Sequence, residues 1–288
     1  MTAEAAPGPD GAAVTVSASD VPATLAIIAG QGDFAGLIAR AARANGVRVV
    51  ALGIKGFAPD SLAADVDAMH WAELGQVGRM VELLHAEGCR HVTLAGRVPH
   101  LNVLQYRHFD LRALKVLGRA VTRKADALLG AVSAELDAEG IRVVDSSMFL
   151  KSLMPEAGLL TPGRSPTPEE AADIKFGLPL AKGVAGMDIG QTIVVKGLMV
   201  IAVEGVEGTD ACIRRAGELA GPGCVVVKVS KPRQDMRFDI PVVGPGTLGS
   251  MKAAGVSALA VTARETLLFH RETVLRDAEA AGIAVVAI

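Results

Sequence analysis

Short apolar runs alternate with amphipathic stretches along the first half of the chain, and the boundaries are marked by glycine. Residues 25–29 (LAIIA) suit a buried strand, and Gly30-Gln31-Gly32-Asp33 follows at once. Residues 34–44 then carry a helical pattern that stops at Asn45-Gly46, and 48–54 form a second apolar run. Strand, helix and strand in that order require parallel pairing through a right-handed crossover. The alternation continues with a helix over 77–87, a strand over 91–95 ending at Gly96-Arg97, a helix over 124–139 and a strand over 141–144. The fold class this predicts is α/β. A Rossmann-like parallel sheet occupies the N-terminal domain, 22–160.

The second half is patterned differently. Residues 155–168 hold four prolines together with Gly158 and Gly163, which reads as a linker. Beyond it, two apolar runs at 192–195 and 198–203 flank Lys196-Gly197, the pattern of a hairpin. A helix follows over 209–220 with Thr209 as N-cap, then a strand over 224–229. Helix, strand, helix and strand follow over 245–254, 258–261, 265–281 and 283–287. A C-terminal mixed α/β domain is therefore expected over 161–288. Residues 1–21, rich in Ala, Gly, Pro and Ser and lacking Lys and Arg, read as a disordered tail and not as a secretory signal.

Composition narrows the classes. A formal net charge of -2 gives no general attraction to nucleic acid, and the isolated Trp71 and Tyr106 make no base-stacking platform. Three cysteines, Cys89, Cys212 and Cys224, are an odd and scattered set, unsuited to a disulfide framework or a thiolate zinc site. They read as small buried hydrophobes in a reducing compartment. No stretch reaches the ~20 apolar residues that span a bilayer, so a cytoplasmic protein, soluble or peripherally bound, is expected.

Three motifs carry candidate chemistry. Gly30, Gly32 and Gly36 lie between a strand and a helix, where backbone N–H groups can meet a phosphate or where the turn is simply tight. Their spacing is not the dinucleotide fingerprint, and the second strand ends in Gly53-Ile54-Lys55 without a ribose-binding acid, which argues against an NAD enzyme. The segment 227–241 follows a buried strand and packs Lys228, Lys231, Arg233 and Arg237 beside Asp235 and Asp239. Such cations can neutralise a diphosphate, and such carboxylates can hold a hard cation, unless the loop is merely solvated. A second acidic group comprises Asp188, Glu204, Glu207 and Asp210 with Gln191. Acids near a helix start can equally be ordinary caps. The six histidines show no metal-ligand spacing, and there is no P-loop, nucleophile elbow or zinc helix.

The start at 25–32, the run 188–195, the Glu-Gly-Thr-Asp stretch of 202–210 and Lys-Pro-Arg-Gln-Asp-Met-Arg-Phe-Asp-Ile-Pro at 231–241 together resemble the LpxI family. Its members are UDP-2,3-diacylglucosamine pyrophosphatases of lipid A biosynthesis. The resemblance spans 22–288, with Asp33-Phe34 a departure from the family's first motif. It implies two domains with substrate held between them, and hydrolysis of the diphosphate to UMP and 2,3-diacylglucosamine 1-phosphate, called lipid X. It also implies a divalent metal, Mg²⁺ or Mn²⁺, an essential aspartate, a homodimer and transient contact with the inner face of the inner membrane. Asp235 is the first match to that aspartate and Asp239 the second. On this reading Asp235 and Asp239 hold the metal, helped by Asp188, Glu204 or Asp210. Gly30, Gly32, Asp33, Gln191, Lys228, Lys231 and Arg237 bind substrate. Met187, Ile189, Leu198, Met199 and Phe238 are candidates for an acyl groove, or ordinary core. The competing class is a non-catalytic carrier of lipid X or of a nucleotide sugar.

Overall fold

A computed structural model describes residues 21–98, 109–119, 125–232, 235–238 and 240–288. All but the last residue of the expected N-terminal tail lie outside these, as do His100, Tyr106, His108, Arg233, Gln234 and Asp239. The chain divides into two compact units, Met1–Leu150 with Met236–Phe238, and Lys151–Asp235 with Asp239–Ile288.

The first unit contains β1 (Thr24–Ala29), α1 (Phe34–Ala44), β2 (Arg48–Ile54), β3 (Ala68–Ala72), α2 (Val77–Ala86), β4 (His91–Ala95), α3 (Leu111–Arg119), α4 (Ala125–Ala138) and β5 (Arg142–Val143). Its strands run in the order β3-β2-β1-β4-β5, every pair parallel. Ala26 of β1 faces Val50 of β2 on one side and Val92 of β4 on the other. The inner strands carry mostly apolar, buried runs, as strands of a parallel sheet covered on both faces do. Ala26, Ile28, Val50, Leu52, Leu84, Val92, Leu136 and Ile141 form one core, and Phe238 packs against it. Within this unit the backbone N–H and hydroxyl of Ser146 both donate to the Met236 carbonyl, at 3.3 and 3.0 Å. Helix α3 and strand β3 were not anticipated from sequence. Helix α3 is fastened by a buried carboxylate, Glu135, which takes Lys115 and Arg119 at 2.9 and 2.8 Å.

The second unit contains β6 (Gly158–Leu159), α5 (Pro168–Gly186), β7 (Thr192–Lys196), β8 (Met199–Val203), α6 (Thr209–Ala220), β9 (Val225–Lys228), β10 (Val242–Val243), α7 (Pro245–Ala253), β11 (Ala258–Val261), β12 (Leu267–Leu268), α8 (Arg271–Ala280) and β13 (Ala284–Ala287). Six strands form a mixed sheet in the order β6-β13-β11-β9-β7-β8. Strands β13, β11 and β9 run parallel to one another, whereas β6 and β7 pair antiparallel with their neighbours. Val194, Val226, Leu259 and Val285 line one face and Ile193, Val225, Val227 and Ala260 the other.

Two expectations change here. The proline-rich 155–168 is not a bare linker. Leu159 pairs with Val286, and the buried Thr161 hydroxyl accepts the Val285 N–H at 2.9 Å, so the segment closes the sheet edge. Helix α8 does not begin at 265. Leu267-Leu268 pairs with β10 instead, since Leu267 and Phe269 donate to the carbonyls of Pro241 and Val243 at 2.8 Å. Strand pairing available in the fold overrides a helical pattern read locally.

Candidate functional site at a sheet edge

Strand β9 is central in the second unit and ends at Lys228, whose side chain is 6% exposed. Burial leaves the ammonium dependent on protein acceptors. It donates to the Thr209 hydroxyl at 2.8 Å and to the Thr192 hydroxyl at 3.3 Å. Thr192 opens β7, which runs antiparallel to β9, so its N-terminal end meets the C-terminal end of β9. Thr209 is the first residue of α6. Gly208 takes the N-cap position there, in place of the expected Thr209, with φ 81°. The Thr209 hydroxyl in turn donates to Glu204 Oε1 at 2.8 Å, and Glu204 Oε2 accepts the Gln191 N–H at 3.2 Å.

The same edge continues into the loop after β9. Val229 donates to the Gln191 carbonyl at 2.8 Å, and Lys231 pairs with Asp188 at 2.6 Å. Ser230, fully buried, donates its hydroxyl to Glu265 and takes Thr262 Oγ1 on its N–H. Asp188, Gln191, Glu204, Lys228 and Lys231 are thus brought together from three separate stretches of sequence. Asp210 stands in the first turn of α6, and Asp235 is exposed further along the loop. Glu207 serves structure: Arg215 donates to it at 2.7 Å, and that hydrogen bond holds its carboxyl below the usual range.

The glycine loop lies in the first unit, where the strand order reverses between β1 and β4, the place where open α/β sheets receive ligands. There the N–H groups of Gly30 and Gln31 are already engaged by the carbonyls of Ala95 and Arg97, at 2.8 and 2.9 Å. A Cβ on Gly30 would come within 2.7 Å of the Arg97 carbonyl oxygen, so close strand approach is what demands glycine there. Gly32 has φ 92° and leads into Asp33, the N-cap of α1, which makes no side-chain cap. Arg97, exposed beside this loop, is a cation that motif reading passed over. Arg237 also belongs to the first unit and lies 4.8 Å over the Phe238 ring.

Among the described residues no three of His, Cys, Asp and Glu gather where they could hold a metal ion. Asp188 is engaged by Lys231, and both oxygens of Glu204 are engaged by protein donors. An all-protein cage is therefore absent from the described residues. One or two carboxylates shared with substrate phosphates, the usual Mg²⁺ arrangement, is compatible with them. The cysteines are not nucleophiles: all three are buried, and burial pushes the Cys89 and Cys212 thiols up to about 11. Of the candidate acyl-groove residues, Met187, Ile189, Leu198 and Met199 are exposed, while Phe238 packs on the first unit's core.

Fold and site define a class, a two-unit α/β protein whose second sheet ends in a corner of cations, hydroxyls and carboxylates. The chain belongs to the LpxI family, whose N-terminal domain model matches residues 24–153 and whose C-terminal domain model matches 156–286. It is similar to the UDP-2,3-diacylglucosamine pyrophosphatase LpxI of Caulobacter vibrioides, 34% identical over an alignment of 282 residues that covers 92% of this chain and 97% of that protein. Among solved structures it is similar to the biotin carboxylase domain of the Hydrogenobacter thermophilus 2-oxoglutarate carboxylase, at 12% identity and a TM-score of 0.26, covering 68% of this chain and 41% of that one. It is likewise similar to N5-carboxyaminoimidazole synthetase of Staphylococcus aureus, at 16% identity and a TM-score of 0.23, covering 60% and 38%. The chain spans less than half the length of either. No helix among the described residues is long and apolar enough to cross a membrane.

Proposed function

We propose that this protein is a UDP-2,3-diacylglucosamine pyrophosphatase, hydrolysing the diphosphate of a lipid-bearing nucleotide sugar to UMP and 2,3-diacylglucosamine 1-phosphate. The observation that carries the proposal is the buried Lys228 ammonium, fixed by Thr209 and Thr192 at the root of the loop that bears Asp235. A positive charge held in place away from water is what a phosphoanhydride needs as charge develops on its oxygens. The 34% identical relative supports the choice of substrate.

In this reading Lys228 and Lys231 meet the diphosphate, and Gln191 contributes to the same corner. Gly32, Asp33 and Arg237 are the substrate contacts proposed for the first unit. An aspartate of the loop, Asp235 or Asp239, orients the attacking water. We assign Mg²⁺ or Mn²⁺ to Asp235, Asp239 and Asp210; Asp188 pairs with Lys231, and Glu204 accepts from Gln191 and Thr209. The ion supplies Lewis-acid neutralisation of the phosphates when bound.

Two further parts of the reading follow from the substrate and the surface. Two acyl chains on the substrate call for transient membrane contact, checked by flotation with vesicles at low salt. The apolar β8 lies at a sheet edge with Leu198, Met199 and Val200 exposed, which supports a homodimer, checked by light scattering.

The deciding assay incubates the protein with UDP-2,3-diacylglucosamine and Mg²⁺ or Mn²⁺, with and without chelator, and measures UMP. Replacing Asp235 and Asp239 singly by Ala is expected to slow turnover ~100-fold or more in at least one case. Undiminished activity in both variants would remove the assignment of the loop. Tight binding without UMP would point to a carrier.

A further inference from the structure

We infer that Thr209 is a positioning residue, whose hydroxyl stands between the Lys228 ammonium and the Glu204 carboxylate and keeps the cation from closing on the acid. The inference rests on the proposed reading that the diphosphate is met at this sheet edge.

The hydrogen-bond polarity is fixed by chemistry. Lysine has donors only, so Thr209 Oγ1 must accept from Nζ at 2.8 Å. The single hydroxyl proton is then left for Glu204 Oε1, also at 2.8 Å. Thr209 is not used as a helix cap: Gly208 holds that place, and the side chain is turned to Lys228 instead. A second hydroxyl, Thr192 from β7, accepts from the same ammonium at 3.3 Å and is itself fully buried. Two elements thus contribute a neutral acceptor each to a cation carried by a third. A buried lysine is a poor device for stability, since an apolar side chain of similar length packs there without desolvating a charge.

Without the Thr209 hydroxyl, the ammonium and the carboxylate lose the oxygen that bridges them. Opposite charges bridged by one atom in a part-buried corner attract each other. Lys228 would be drawn toward Glu204, away from the place where phosphate charge develops.

The experiment compares Thr209→Val, which keeps shape and loses the hydroxyl, with Thr209→Ser, which keeps it. Steady-state kinetics on UDP-2,3-diacylglucosamine are read alongside thermal melting, with Thr209→Ala taken if the Val variant does not fold. Thr209→Val is expected to lose roughly ten- to a hundredfold in kcat with KM changed far less, while Thr209→Ser stays near wild type. Adding Glu204→Gln to Thr209→Val removes the competing charge and is expected to restore part of the lost kcat. A merely structural role predicts a further loss in that double variant and a fall in melting temperature that tracks activity. Wild-type protein that releases no UMP overturns the functional reading and this inference with it. Active wild type with an unimpaired Thr209→Val, with Thr209→Ser as slow as Val, or with no rescue by Glu204→Gln overturns the inference alone.

Discussion

Glu87 closes α2 and reaches back to two strands. Its carboxylate accepts from Arg48 at the start of β2 at 2.6 Å and lies 2.7 Å from His70 Nε2 on β3. The Arg48 hydrogen bond first, and the His70 bond second, hold its carboxyl below the ordinary 4.5, with burial opposing them. A depressed folded pKa gives stability that is present above the unfolded value and lost as pH falls through the folded one. Glu87→Gln should therefore cost about 1 kcal/mol near pH 7, and the gap to wild type should shrink below about pH 4. Urea unfolding at both pH values checks this; an equal gap at the two would assign the loss to packing. The thiols make a second residue-scale case. Desolvation lifts Cys89 and Cys212 to about 11 and raises Cys224 as well, so none should alkylate with iodoacetamide at pH 8 until the protein is denatured. That cysteines would be buried was legible from their scatter. The partners of Lys228 were not, because Thr192 and Thr209 carry no signature apart from the fold that aims them.

At the scale of elements, the hairpin from β7 to β8 turns at Gly197-Leu198, one residue later than the apolar pattern suggested. Both residues have φ 59°, and the buried Asp173 of α5 accepts their N–H groups at 2.9 and 2.6 Å. Two successive positive φ values match the right-handed twist of the flanking strands, which is why such turns favour Asn-Gly. Leucine in that conformation is strained by roughly 1 kcal/mol or more. Leu198→Asn should raise stability by about 1 kcal/mol, whereas Asp173→Ala should lower it by about 1–3 kcal/mol. Thermal melting of the two variants reads both, and a Leu198→Asn protein no more stable than wild type would show the turn to be relaxed. The alternation that produced β1, α1 and β2 was legible because glycine stops and apolar runs are local. The pairings of β6 with β13 and of β10 with β12 were not, since each covers only two residues whose partners lie far away in sequence.

For the molecule as a whole, four short motifs sufficed to read the family, while the grouping of the loop after β9 had to come from structure. Met236–Phe238 belong to the first unit although both their flanks belong to the second. No hydropathy pattern marks such a switch, because three residues are too few to show a period. The acids scattered through 188–239 looked like one metal set in sequence. In the fold Lys231 takes Asp188, and Gln191 with Thr209 takes Glu204, which leaves no three described ligands together. A divalent cation that depends on substrate phosphates for the rest of its shell adds little to folding by itself. Chelation is therefore expected to abolish UMP release, and Mg²⁺ to restore it, with the melting temperature of the ligand-free protein nearly unchanged. Mg²⁺ and UMP together should raise that temperature more than the sum of their separate effects, because each completes the other's site and only the folded protein binds both. A melting temperature that drops by several degrees on chelation alone, corresponding to roughly 1 kcal/mol or more, would show instead that the ion is part of the framework.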